Sequence, residues 1–504
     1  MKNLILTLMG LASVLSSYGQ NITDALRYST GETEGTARFK SMSGAFGALG
    51  GDMSAVSINP AGSAIFNLSH GSLTLSSLKV SNDVAYGSNT KGLKDNSFDM
   101  NQIGAAFVFN NRNPESTWNK FVVSLFYEQL QSYDNQFFAA GTTQNTIGDY
   151  FTDYANGLRL DEITALPGET ISQAYSGIGS EYGSSYQQAY LGYESFILEP
   201  ADDTDNENTA YTSNIAAGDF YQKYNYASTG YNGKFSVNLG FQYDKNIYFG
   251  INLNSHLVNY ERSTFFYEDN TNTGSIINEV HFNNTLLTTG EGFSLQLGSI
   301  VKVNDFIRLG LTYDSPTWMR LREETTQYLY TFEDATSLAA EVDPAVINVF
   351  PEYNLRTPAK ITGSAAFIIG DTGLISIDYS RKDYSAIKFR SNSGVDFSEQ
   401  NAVFSNSLKA ANTIRIGGEL RHKKFSYRGG YKMEQSPYKD TAAYGNLKGF
   451  SLGLGYDFGG SRLDLAYENS KREMDHQLFN AGNLDTARIN TTNSNVSLTL
   501  SMSL

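Results

Sequence analysis

The stretch SNVSLTLSMSL, residues 494–504, decides the fold. Its apolar positions are Val496, Leu498, Leu500, Met502 and Leu504, and they alternate with Asn495, Ser497, Thr499, Ser501 and Ser503. Because a β-strand places successive side chains on opposite faces, this stretch predicts a strand with one wholly apolar face and one wholly polar face.

The same alternation recurs along most of the chain and predicts fourteen strands. They lie near 72–86, 98–110, 119–138, 229–243, 247–268, 291–302, 306–325, 355–368, 373–390, 408–421, 425–434, 448–458, 461–473 and 494–504. Short connections of the kind at 244–246 and 459–460 alternate with mostly longer ones, such as 87–97 and 139–228. An even strand count with short turns at one end and longer loops at the other is typical of an antiparallel transmembrane β-barrel.

Two further features favour a barrel in lipid over a soluble β-sandwich. The polar faces of the predicted strands repeatedly carry full charges, among them Arg308, Asp378, Arg415 and Glu419. The composition is 13% aromatic and only 18% charged, with 46 glycines in 504 residues. An apolar exterior, a polar lumen and aromatic rims require this mixture. We therefore expect outer-membrane lipid around the barrel, and recognition of the strand 494–504 by the barrel assembly machinery.

The N-terminus predicts export. Lys2 precedes an apolar segment from Leu4 to Leu15, and Ser17 and Gly19 are small residues at the −3 and −1 positions of a cleavage site before Gln20. This pattern is that of a signal peptide, residues 1–19. There is no cysteine, which excludes thiolate metal sites and disulfides, and the net charge of −15 argues against a nucleic-acid partner.

Two regions lie outside the predicted strands. Residues 20–70 are rich in glycine and precede the first strand, and residues 139–228 form one long outer loop in which we expect helices near 144–156 and 184–194. A fourteen-stranded barrel is too wide for its own side chains to fill. We therefore predict that residues 20–70 plug the lumen of a barrel formed by residues 71–504.

The N-terminal region resembles the FadL-type outer-membrane transporters. The residues that carry the resemblance are Gly44, Gly47, Gly50, Gly51, Asn59, Pro60, Ala61 and Gly62, directly before the first strand. The variant AFGALGGDMSAVSINPAG looks most like members from the Bacteroidetes, some of which are labelled hemin receptors. The family has a fourteen-stranded barrel closed by an N-terminal hatch with an Asn-Pro-Ala motif, which matches the layout of nearly the whole chain.

The resemblance implies an outer-membrane transporter, and not an enzyme, for hydrophobic small molecules such as long-chain fatty acids. Ligands would enter at an outer-loop groove, pass to a lumenal site, and leave sideways at a kinked third strand. Val122 and Phe126 break the alternation of that strand and predict an inward apolar patch, for a ligand or for the hatch. The other candidate ligand contacts are Tyr150, Phe151, Tyr154, Tyr186 and Tyr190 of the outer loop and the lumenal Arg308 and Arg415.

Other readings stay open at this point. The cargo can be hemin or an aromatic hydrocarbon, or the plugged barrel can serve as a protein-binding platform in secretion. We expect a monomer without cofactor or metal, since the five histidines show no ligand spacing and no G-x-S-x-G motif is present. Arg308, Arg415, Arg428 and Arg462 can bind a carboxylate ligand or pair with acidic residues of neighbouring strands.

Overall fold

Among the residues that the structure describes, fourteen antiparallel strands form a closed barrel. The computed structural model describes residues 22–31, 34–113, 115–391 and 393–503; the predicted signal peptide and its cleavage site lie outside them. Each barrel strand pairs with the next along the chain, and the last pairs with the first from His70↔Ser503 to Ala85↔Arg488. The predicted fold class and strand count are confirmed.

The barrel strands are β1 (His70–Tyr86), β2 (Asn89–Asn110), β3 (Trp118–Ser132, continued by Asn135–Thr143), β4 (Phe220–Tyr243), β5 (Ile247–Asp269), β6 (Glu279–Lys302), β7 (Ile307–Asp314, continued by Trp318–Glu333), β8 (Tyr353–Arg356, continued by Lys360–Ile369), β9 (Gly373–Asp383, continued by Lys388–Ser391), β10 (Ala410–His422), β11 (Phe425–Glu434), β12 (Leu447–Asp457), β13 (Ser461–Gln477) and β14 (Thr486–Ser503). The helices are α1 (Ile22–Arg27), α2 (Ala37–Lys40), α3 (Met53–Ile58), α4 (Ile147–Ala155), α5 (Ile171–Glu181), α6 (Ser184–Glu194) and α7 (Ser398–Ser407), with 3-10 turns at Pro60–Ile65, Leu160–Glu162 and Tyr384–Ala386. Short strands outside the barrel wall are Leu198–Pro200, Tyr211–Ser213, Leu338–Val342 and Asn348–Val349.

The barrel exposes its apolar face and buries its polar face. In β14, Leu498 and Leu500 are 45% and 44% exposed, whereas Thr499 between them is fully buried. At the end with the short turns, the outward rings of Phe121 and Trp118 lie 5.8 and 6.1 Å from that of Phe241. An apolar outer band with an aromatic rim is the exterior that a bilayer requires.

No helix in the described part of the chain is long and apolar enough to cross a membrane.

The connections alternate between short and mostly long as predicted, but the predicted loops 139–228, 269–290 and 474–493 are too long, because β4, β6 and β14 begin already at Phe220, Glu279 and Thr486. The long outer loop is present, and the expected helices are confirmed as α4 and α6. The expected loop at 87–97 is wrong, because Gly87 and Ser88 alone join β1 to β2. Gly87 has a φ of +54°, which suits glycine at the first position of a two-residue hairpin turn. Beyond the lipid the strand is polar on both faces, so its alternation disappears from the sequence.

Two apolar clusters occupy the upper half of the barrel, towards the long loops. The outer cluster packs α4, α5 and α6 against the upper ends of the strands, and includes Phe151, Tyr190 and Phe282. The inner cluster surrounds α1, with Leu26 and Tyr28 against Tyr133 and Tyr260. The chain then descends inside the barrel, and residues 37–66 fill the end with the short turns.

Candidate functional site: the filled lumen

The N-terminal segment, defined here as residues 22–66, bonds to inward side chains all around the barrel. Ala37 donates its N–H to Thr499 Oγ1 of β14 at 2.6 Å. Phe46 and Gly47 donate theirs to Asp378 of β9, each at 3.0 Å. On another side, Lys120 Nζ of β3 donates to the carbonyl of Phe66 at 2.6 Å. The barrel's polar inner face therefore satisfies the backbone of the segment that fills it.

Asn59 ties this segment together and anchors it to the wall. Its Oδ1 accepts the N–H of Ala61 at 3.1 Å and so begins the 3-10 turn that contains Pro60. Its Nδ2 donates to the carbonyls of Gly47, at 2.7 Å, and of Ser299 in β6, at 3.0 Å. The Asn-Pro-Ala motif thus connects both halves of the segment to one wall of the barrel.

Glycines on the inner face let the backbone of the segment approach the wall closely. Gly240, Gly250 and Gly298 face one another across β4, β5 and β6. A Cβ at Gly250 or at Gly298 would collide with Pro60. A second pair, Gly417 and Gly430 of β10 and β11, lies against Met42 and Ser43 in the same way, and a Cβ at either would meet the Met42 backbone.

A buried ion network fixes α2 to the opposite wall. The Arg38 guanidinium donates to Glu419 of β10 at 2.9 Å. The same carboxylate accepts from Arg428 of β11 at 2.6 Å, and Arg428 also pairs with Asp464 of β13 at 2.8 Å. Burial acts to lower the pKa of Arg38, but the neighbouring Glu419 carboxylate outweighs it and raises that pKa. Arg38 is therefore held as a cation inside the barrel.

Above residues 37–66 the lumen contains a cavity of about 220 Å³, and a second of about 100 Å³ shares part of its lining. The charged residues that line the larger cavity are Glu34, Glu128, Lys234, Asp314, Lys360, Lys382, Arg415 and Glu434. Lys360 pairs with Asp314 at 2.9 Å. Arg415 lines both cavities, and its buried Nε has no hydrogen-bond partner among the described residues. It is therefore the lining cation best placed to meet an anionic group.

The barrel wall is interrupted between β2 and β3 beside these cavities. Their ladder runs from Asn110↔Lys120 to Gln102↔Glu128 and ends there. Above that point β3 remains paired only with β4, and its register shifts between Gln129 and Gln131. Because Gln131 lines the smaller cavity, the interruption adjoins the lumen.

The N-terminal segment contacts the inner side of this interruption. In β2, Asn101 is an extra residue that has no partner in the register with β1. Its Nδ2 donates to the Glu34 carboxylate at 2.5 Å, and Lys40 Nζ donates to the same oxygen at 2.6 Å. Across the gap itself, the Asp99 side chain reaches Gln129. Side chains rather than a backbone ladder therefore close the wall here.

A continuous series of ring contacts connects the outer loop to this point. Successive members of the series are Tyr154, Tyr150, Phe479, Tyr224, Phe137, Tyr226, Tyr260, Tyr133 and Tyr28. Neighbouring ring centres are 4.6–6.4 Å apart, except that Tyr226 and Tyr260 meet through their hydroxyls at 2.9 Å. Tyr133 follows the end of the first part of β3, so the series ends beside the interrupted wall.

The structure distributes the predicted ligand contacts over three places. Tyr150, Phe151 and Tyr190 are buried in the outer cluster, and Tyr154 and Tyr186 pack at its edge. Val122 and Phe126 face inward, as their break in alternation predicts, and pack against Met53 and Phe66 of the N-terminal segment. Arg308 donates to the carbonyl of Leu49 at 3.1 Å. Arg428 and Arg462 both pair with Asp464. Of the four predicted lumenal arginines, Arg415 is the one that lines the cavity.

Sequence reasoning missed Glu34, Asn101 and the inward glycines. The glycines did leave a signal, because Gly240, Gly250 and Gly298 all occupy polar-face positions of strands whose other face is apolar. Glu34 and Asn101 left none. Their contact depends on one extra residue in β2, which becomes visible only in the register.

No protein-family model matches the chain, and no curated protein matches its sequence. Solved structures match its fold. A FadL homologue from Pseudomonas aeruginosa is 12% identical with a TM-score of 0.55, over 94% of this chain and all of that one. The toluene transporter TodX of P. putida is 12% identical with a TM-score of 0.53, over 94% of this chain and 99% of that one. The chain therefore has the fold of the FadL-type transporters, as the resemblance in its sequence predicts.

Proposed function

We propose that this protein takes up hydrophobic small molecules across the outer membrane, without converting them. The observation that carries the proposal is the interrupted wall between β2 and β3, which adjoins a lumenal cavity above Gln102↔Glu128. A complete barrel has no reason to leave strand edges unpaired beside Met100, within the apolar band, because each unsatisfied backbone group there costs several kcal/mol. A sideways exit for an apolar ligand supplies such a reason.

The route begins at the outer cluster and follows the ring series down to Tyr133 and Tyr28. In this conformation the rings touch one another and the N-terminal segment occupies the lumen, so passage requires movement. Residues 20–70 act as the hatch in this proposal. Glu34 links the hatch to the exit, because it lines both cavities and its carboxylate accepts a hydrogen bond from Asn101 of β2.

Long-chain fatty acids are the first candidate substrates. A fatty acid has an apolar body for the ring-lined passage and a carboxylate that needs a cation. Arg415 supplies one, since its buried Nε is unpartnered among the described residues. A guanidinium binds a carboxylate through directed, charge-assisted hydrogen bonds.

Aromatic hydrocarbons are the second candidate, favoured by the ring series itself. Offset and edge-to-face arrangements of aromatic rings are each worth roughly 0.5–1.5 kcal/mol beyond the area that they bury. A small aromatic ligand can exchange one such contact for the next as it descends. The toluene transporter with the same fold makes this class of cargo worth testing first beside fatty acids.

The test is uptake by cells with and without this gene, each given labelled oleate, toluene or haem. We expect faster uptake of oleate or toluene in the cells that carry the gene. Equal uptake of all three compounds by both strains would overturn the proposed transport. Faster uptake of haem alone would keep transport and replace the substrate class.

A further inference from the structure

The upper part of β2 presents a free strand edge outside the apolar band of the barrel. The ladder with β3 begins only at Gln102, so no described strand pairs with Asn89–Asn101 on the side away from β1. Residues 89–94 are all exposed. On the outward face, Phe98 is 70% exposed and Met100 is 44% exposed, and they are the uppermost apolar residues there. The edge from Thr90 to Phe98 therefore lies at and above the upper border of that band.

The register shows which backbone groups are free. In a two-residue hairpin the residues flanking the turn, Tyr86 and Asn89, form a hydrogen-bonded pair, and hydrogen-bonded pairs recur at every second residue. The intervening residues, Thr90, Gly92, Lys94, Asn96 and Phe98, consequently direct their N–H and C=O groups away from β1. In agreement, the N–H of Asn96 bonds to the Asp95 side chain, at 2.9 Å.

The facing strand is covered, which leaves β2 as the accessible edge. The continuation of β3 passes behind the hairpin and lies close to both of its strands, β1 and β2. There the buried Asn82 donates to Asn135 Oδ1 and to the carbonyl of Gln136, both at 2.7 Å. One carbonyl of β3, that of Gln136, is thus occupied from within, whereas among the described residues only the Asp95 side chain bonds to the free backbone groups of β2.

We propose that this edge binds an extended segment of another polypeptide, which adds a strand to the sheet at the outer surface. A row of backbone donors and acceptors is completed best by another strand. On the outward face Lys94 of β2 lies opposite Ser81 of β1, with Lys79 on one diagonal and Asp83 on the other. Lys94 is therefore the charge that the added strand meets directly. The partner strand therefore carries an acidic residue opposite Lys94 and an apolar residue opposite Phe98.

A second copy of this chain does not fit the edge. Two barrels upright in one membrane are related by an axis along the membrane normal. That rotation brings identical edges together at the same height and in the same direction, so donors face donors. A β ladder needs donors opposite acceptors. The occupant is therefore an extended segment of another polypeptide and not the same edge of a second barrel.

The test uses the full-length protein in lipid nanodiscs and the fluorescent peptide Thr-Phe-Thr-Thr-Thr-Glu-Thr-Val-Thr, titrated by fluorescence anisotropy. Run antiparallel to β2, this peptide places Phe opposite Phe98 and Glu opposite Lys94. We expect saturable binding, and a binding constant weakened about tenfold when Lys replaces Glu in the peptide, because like charges then face each other. Absence of saturable binding of the Glu peptide would overturn the proposal.

Asn96→Pro is the decisive variant and Asn96→Ala its control. Proline removes an N–H on the free side of β2 and leaves the ladder with β1 intact, a position where edge strands tolerate it. We expect Asn96→Pro to weaken binding about tenfold or more, while Asn96→Ala binds like the wild type. Circular dichroism checks that both variants keep the barrel. Equal binding by the two variants would contradict strand addition at this edge.

Discussion

At the scale of single residues, the N-terminal segment packs closely against the barrel wall because glycines at the contact points have no side chain. Gly250 touches the backbone of Pro60, so a methyl group there has nowhere to go. We expect Gly250→Ala to lower the free energy of unfolding by about 1–3 kcal/mol, the usual cost of overpacking. Gly363→Ala is the matched control, because open space surrounds that outward position. Denaturant unfolding in detergent measures the free energy of unfolding of both variants. Equal values for the two would refute the close contact between Gly250 and Pro60.

Glu419 tests the buried ion network in the same way. Removing this carboxylate leaves Arg38 and Arg428 buried without their partner. Breaking a buried pair from one side costs roughly 3–5 kcal/mol, and we expect a loss of this size for Glu419→Ala. Arg421 bonds to the same carboxylate but its side chain is 41% exposed, so Arg421→Ala should cost at most about 1 kcal/mol. Similar losses for the two variants would show that the network does not hold the segment.

Arg415 tests the nature of the cargo. We expect Arg415→Gln to slow the uptake of oleate by about tenfold or more, since a hydrogen bond to a charged group contributes roughly 1.5–3 kcal/mol. Toluene has no charge for Arg415 to meet, so its uptake should not change. Labelled uptake in cells measures both compounds. An equal loss for toluene would mean that Arg415 supports the lumen instead of binding a carboxylate.

At the scale of elements, the ring series is the part of the route with a specific chemical preference. Phe137 lies 4.6 Å from Tyr226 and 6.0 Å from Tyr224, in the middle of the series. Phe137→Leu keeps an apolar side chain but removes the ring. We expect it to slow toluene uptake about two- to tenfold relative to oleate uptake, from the loss of one aromatic pair. Phe107→Leu, at an outward position that is 42% exposed, is the control and should change neither.

The elements also show how far the sequence alone reaches. The sequence predicts strand bounds well where one face meets lipid and the other the lumen, as in β11 and β12, because there the alternation is strict. The alternation fails above the lipid, where water on both faces removes the pattern. The sequence therefore predicts loops for the upper part of β2, residues 89–97, and for the upper ends of β4, β6 and β14. Tyrosine-rich apolar stretches predict helices α4 and α6, whereas no such stretch predicts α5.

At the scale of the whole molecule, the candidate site comes from contacts between distant parts of the chain. Gly47 and Asp378 are 331 residues apart in sequence, and Arg38 and Glu419 are 381 apart. The sequence predicted that residues 20–70 belong to the lumen and that Arg415 faces it. It did not predict which barrel residues face which part of the segment, because those pairs depend on the register and closure of the entire sheet.

In the proposed function the ligand leaves through the interrupted wall between β2 and β3, and this step can be tested directly. The natural chain has no cysteine, so paired cysteines introduced by mutation can be crosslinked cleanly. Asp99→Cys with Gln129→Cys spans the interruption, and Ala105→Cys with Leu125→Cys spans a position where the same strands are already paired. Each pair is joined with a short bifunctional thiol reagent that a reductant reverses.

The decisive measurement is the uptake rate of labelled oleate and toluene by cells with each crosslinked pair, before and after reduction. We expect the Asp99–Gln129 crosslink to block uptake and reduction to restore it, whereas the Ala105–Leu125 crosslink should have no effect. Uptake at the full rate through the Asp99–Gln129 crosslinked barrel would contradict the sideways exit.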